Sequence, residues 1–135
     1  MKRAGGTRGL APRLVLAIWI ACFLIGTVNH VRALLAHGWL PYDFAPLPFN
    51  AFWTALTFVD PLAAALLVWR RNAGIALGLC VMLSDVAVNS WIAATHGLGG
   101  VAGPLQLQTL FLGFTIGSFR LIWLGRGTAA PGAPD

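Results

Sequence analysis

Of the 135 residues in this chain, 58% are hydrophobic and only 10% charged, and the mean hydropathy is +0.77. Soluble globular domains carry about 25% charged residues, so the soluble classes are excluded and a single small membrane domain is indicated. The net charge of +5 does not point to nucleic acid, because the basic residues gather at the ends of apolar runs and not on one face with interleaved aromatics. Anionic lipid headgroups are the simpler partner.

A basic segment, residues 1–13 with Lys2, Arg3, Arg8 and Arg13, precedes the first apolar run, Leu14 to Ala36. Its onset also fits a secretory signal peptide. The apolar character continues through Val31 to Ala36 with no small-residue cleavage site after the core, so an uncleaved span is the expected reading. The second run extends from Asn50 to Trp69, the third from Ala73 to Thr95 and the fourth from Leu105 to Leu124. Each approaches the roughly 20 residues that a helix needs to cross a hydrocarbon core. The expected fold is therefore all-α, an integral membrane bundle of four transmembrane helices within residues 14–124. A tail, residues 125–135, is expected to be disordered.

Arg70 and Arg71 link the second and third runs, and Arg120 and Arg126 bracket the end of the fourth, whereas the connections around His37 to Phe49 and Gly97 to Pro104 hold no Lys or Arg. Positive residues favour the cytoplasmic side. A multi-pass protein with both termini cytoplasmic follows, and the single Lys beside eight Arg, with abundant Ala and Gly, fits a GC-rich bacterial genome, so a bacterial inner membrane is expected. Trp39 and Tyr42 are expected at the outer interface, and Trp69 and Trp123 at the inner one.

A charge at mid-membrane costs on the order of 3 kcal/mol, so acids there pair, protonate or face a cavity. Counting along the helices puts Asp60 and Asp85 near the midplane. Asn89 lies one turn from Asp85 on the same face, and His96 follows along that stripe. Asn29 and His30 reach a similar depth in the first span, and Gln106, Gln108 and Thr109 open the fourth. These residues outline a polar chamber opening outward. Asp60 before Pro61 is also a common helix start, so the second span is expected to kink at Asp60-Pro61, with Asp60 capping an inner half-helix. Asp85 has an alternative use as an interhelical hydrogen-bonding group.

His30 and His37 share a helical face about 10 Å apart, too far to hold one metal together. No metal, no cofactor and no catalytic residue is expected. Arg32 can snorkel to headgroups or pair with Asp43. Cys22 and Cys80 read as small buried hydrophobes. Gly113 with Gly117, and Gly74 with Gly78, form small-xxx-small patterns expected to pack within the bundle, with a dimer interface as the alternative.

Four short spans containing Phe58-Val59-Asp60-Pro61-Leu62 and Ser84-Asp85-Val86-Ala87-Val88-Asn89 resemble small bacterial four-span inner-membrane proteins. The layout and embedded acids are also similar to the emopamil-binding and sigma-2-like four-helix proteins, and that resemblance implies acids set around a sterol-sized or amine ligand. The chain contains no Glu, so the resemblance covers architecture and embedded acids only. The expected function is binding or transport of a small apolar or cationic ligand, contacted by Asp85, Asn89, Asp60, His30, Asn29 and Gln106. An accessory subunit within a homo-oligomer or larger membrane assembly is one alternative. A membrane-embedded acid-base enzyme pairing an Asp with His30 is another.

Overall fold

The computed structural model describes residues 9–123. Lys2, Arg3, Arg8, Arg126 and the tail lie outside the described residues. Four helices occupy these residues, α1 (Leu10–His37), α2 (Leu47–Trp69), α3 (Arg71–His96) and α4 (Ala102–Ile122). Each is long and apolar enough to cross a membrane, so the architecture is an all-α four-span bundle.

Local chemistry sets the helix ends. Gly38 (φ 78°) and Gly97 (φ 86°) stop α1 and α3 in the left-handed region that lacks a steric cost only for glycine. Pro46 and Pro48 open α2, where a missing N–H costs nothing. A single residue, Arg70, separates α2 from α3. The helix α2 runs unbroken through Pro61, so Asp60 does not cap a second half-helix. Pro61 removes the donor for the Thr57 carbonyl. Burial of Trp53, Leu56, Thr57, Ala63, Ala64 and Leu67 on both sides of it keeps the helix packed across the missing rung.

The helices form a ring in which α1 packs on α2, α2 on α3, α3 on α4, and α4 returns to α1 by the thinnest seam. One end, here called proximal, carries Gly9, Arg70 and Trp123, and the distal end carries the connections 38–46 and 97–101. Lipid is as apolar as the side chains, so packing and interhelical hydrogen bonds, not hydrophobic burial, hold such a ring together. The proximal half is close-packed around the fully buried Trp19, Leu67, Ile75 and Ile122. Trp19 Nε1 donates to Ser118 Oγ at 3.1 Å, tying α1 to α4. A β-carbon on Gly74 would fall 2.7 Å from Leu67 Cα, and one on Gly78 would fall 3.0 Å from the Phe23 ring, so both glycines set close helix approach.

Gly113 and Gly117 depart from the expected internal packing. Both are exposed on α4 with nothing within 4 Å of where a β-carbon would stand. Cys80 is also exposed, while Cys22 is half-buried. Arg32 makes no ion pair with Asp43 among the described residues. Trp39 and Trp69 are exposed at opposite ends, at 74% and 80%, as interfacial anchors require.

Candidate functional site

The distal half of the ring is not filled. A cavity of about 770 Å³ lies there, floored by Phe23, Val81, Met82 and Phe111 and bordered by all four helices. Its chemistry comes from two groups of hydrogen-bonding residues in its lining.

The first group centres on Asp85. Asp85 and Asn89 are one turn apart on the inward face of α3, both buried. Asn89 Nδ2 donates to Asp85 Oδ1 at 3.2 Å and also to Gln108 Oε1 of α4. The Trp53 indole of α2 donates to the Asp85 carboxyl. The Asp85 carboxyl is thus held from α3 and α2, and Asn89 links it onward to α4.

The second group centres on His30 of α1. His30 Nε2 lies 3.9 Å from Asp60 Oδ2, and His30 Nδ1 lies 2.6 Å from Tyr42 Oη in the distal connection. Glycine makes the first approach feasible: a β-carbon on Gly26, one turn before His30, would stand 2.6 Å from Asp60 Oδ2. Asp60 of α2 and Asp85 of α3 thus line the same cavity.

The connection that carries Tyr42 is pinned by α2. Asn50 accepts from the Tyr42 N–H at 3.1 Å and donates to the Leu40 carbonyl at 2.8 Å, which holds Leu40 at φ 57°, an unfavourable value for a branched residue. Tyr42 packs edge-on against Trp53 with ring centroids 5.3 Å apart. Burial, with Asp85 and Asp60 adding their charges, pushes the Tyr42 phenol up to about 12. The residue expected to be a headgroup anchor therefore turns inward as part of the site.

Asp60, Asp85 and Asn89 are buried at the cavity wall, His30 is half-buried there, and Asn29 stands exposed at its rim. Gln106 does not belong with them. It is exposed and away from the cavity, and Gln108 takes the place expected of it. Two residues of helix turn a side chain by about 200°, so only one of the two glutamines can face inward. His96 instead bonds Thr95 at the distal surface.

Every lining residue from α2 and α3 is buried, whereas exposed lining comes from Ile25 (60%) and Asn29 of α1, from Phe44 (47%) and Gly100 of the distal connections, and from Gly103, Pro104 and Leu107 (71%) of α4. The Phe44 ring lies where a β-carbon on Gly100 would clash at 2.8 Å. The exposed lining therefore spans both the distal connections and the α1–α4 seam.

Sequence reading missed Trp53 and Gly26. A signal existed for both, since Trp53 precedes Asp60 by two turns on the same face and Gly26 precedes His30 by one. Comparison of the chain with protein-family models, with curated proteins and with solved structures found no match, so the chemistry of the site is read from its own residues.

Proposed function

We propose that this is a multi-pass protein of the bacterial inner membrane, with both termini cytoplasmic, that binds or transports a small apolar or cationic molecule in the distal chamber. The single observation that carries this reading is the convergence of Asp60, Asp85, Asn89 and His30, from three helices, on one largely apolar cavity. Its volume suits a drug-sized ligand, and a few convergent polar groups in an apolar wall are what ligand sites provide. The apolar body of the ligand lies against Phe23, Met82, Trp53 and Phe111. Its polar or cationic end meets the Asp60 and Asp85 pair.

The orientation rests on Arg70 and Arg71 at the proximal end and on Lys-free, Arg-free distal connections. Reporter fusions after Arg71 should read as cytoplasmic and one after Gly100 as external. A cytoplasmic signal at Gly100 would overturn it.

The binding test is purification in mild detergent followed by mass spectrometry of co-purifying small molecules. Asp85→Asn should keep the fold and lose the ligand, because the amide keeps shape and hydrogen bonding without charge. A ligand-free preparation in which Asp85→Asn is silent and Asp85→Leu is destabilising would sink the binding reading in favour of helix glue. A second reading, an accessory subunit, draws support from the outward Gly113 and Gly117 of α4, at which another helix can approach closely.

A further inference from the structure

A second depression of about 680 Å³ sits at the distal surface, lined by Arg32, His37, Tyr42 and Asp43 among others. Tyr42 borders both this depression and the internal chamber. Its hydroxyl lies 2.6 Å from His30 Nδ1, and the far nitrogen of the same ring lies 3.9 Å from Asp60 Oδ2. We infer that Tyr42 and His30 form a proton relay that connects the distal surface to the buried Asp60 carboxylate.

The other approaches to Asp60 hold fewer polar groups. The proximal side is filled by Trp19, Phe23, Leu67 and Ile75 with no titratable group among them. Along the α1–α4 seam the exposed lining is Ile25 and Leu107, apolar side chains that face hydrocarbon in a membrane, with Asn29 as its exposed polar residue. Tyr42 of the distal connection is the titratable group in direct contact with His30, and His30 leads to Asp60. Titratable groups facing the chamber are Cys22 and His30 from α1, Tyr42 from the connection, Asp60 from α2 and Asp85 from α3, and α4 contributes Gln108 but none that titrates.

Tyr42 O–H gives its proton to His30 Nδ1 and recovers one from the side of the distal depression, whose lining includes Arg32, His37 and Asp43. His30 gives the proton on Nε2 to Asp60 Oδ2, through one water or a small ring rotation across the 3.9 Å gap. One proton enters, one carboxylate is neutralised, and no other bond changes. His30 is left as the opposite neutral tautomer, and the reverse transfer restores it. Neutralising Asp60 removes one charge from the cavity lining, so the relay sets the charge that the chamber presents to a ligand from the distal side.

The test needs no ligand, so its failure is separable from failure of the binding reading. Protein in lipid nanodiscs is exposed to photoreleased protons while time-resolved infrared spectroscopy follows the carboxyl C=O band, with Asp60→Asn identifying the band. Tyr42→Phe keeps the ring against Trp53 and removes only the hydroxyl, and His30→Gln removes the second relay group. Each should slow Asp60 protonation tenfold or more while the band persists at equilibrium. A wild-type rate in either variant, or a band that no proton pulse changes, overturns the relay. If Tyr42→Phe fails to fold, the His30→Gln rate decides between the same two outcomes.

Discussion

Gly26 offers the sharpest test of how the chamber is built. A β-carbon there would stand 2.6 Å from Asp60 Oδ2, whereas ordinary contact begins near 3.4 Å, so Gly26→Ala forces the carboxyl back by the difference, about 0.8 Å. Retreat from α1 also stretches the 3.9 Å separation from His30 Nε2 beyond the ~4 Å reach of an ion pair. Overpacking of this kind costs about 1–3 kcal/mol, and Ala regains roughly 1 kcal/mol of helix propensity over Gly. Gly113→Ala supplies the control, since nothing lies within 4 Å of that position and only the propensity gain applies. Thermal unfolding in detergent should place Gly26→Ala below Gly113→Ala by about 1–3 kcal/mol. Shortening the carboxyl with Asp60→Ser should remove most of that gap, as expected for two residues in direct contact. Equal stabilities for the two alanine variants, or a penalty that persists in the Gly26→Ala/Asp60→Ser double variant, would refute the close approach.

Tyr42 is the only tyrosine in the chain, so phenolate absorbance reports it alone. With its folded value pushed up to about 12 against about 10 when unfolded, its contribution to stability should be complete below pH about 10 and fade as pH rises toward 12; ionisation at pH 10 in folded protein would contradict the buried placement. Asn50→Ala removes two hydrogen bonds to the distal connection, each worth about 0.5–1.5 kcal/mol. Hydrogen exchange across residues 38–46 should quicken while the proximal half stays protected, and uniform exchange changes would argue against a pinned lid. The missing N–H of Pro61 and its ring against the Thr57 turn predict a bend in α2. Spin labels near the two ends of α2 should move apart in Pro61→Ala, and an unchanged distance would mean a straight helix.

The four helices were legible because membrane crossing imposes length and apolarity on each one separately. The depth of Asp60 and Asp85 was legible for the same reason, as rise per residue is fixed. Azimuth was harder. It depends on which neighbour each helix meets, and the sequence has no way to show that α4 turns Gln108 inward and Gln106 outward. The glycines illustrate the same limit. Gly74 and Gly113 sit in identical spacing patterns, yet one lies against the α2 backbone and the other on an open surface. Tyr42 was misread because interfacial depth suits a headgroup anchor, while its inward turn depends on Asn50, eight residues away.

The division between the two halves of the bundle bears on function. At the proximal end, helices are joined by neutral groups, Trp19 to Ser118 across the α1–α4 seam, while Thr115 and Ser118 satisfy themselves on the carbonyls of Leu112 and Phe114. That region is filled and needs no acid. The chain therefore has a working solution for helix adhesion that avoids the cost of a carboxyl in hydrocarbon. At the distal end it uses Asp60 and Asp85 instead, and both line a cavity of about 770 Å³. Helix walls set apart across a cavity forgo direct dispersion contacts with one another, and two acids in that lining carry the cost of carboxyls in hydrocarbon. Adhesion alone favours neither feature, whereas a site that must admit a molecule and present it with a charge requires both.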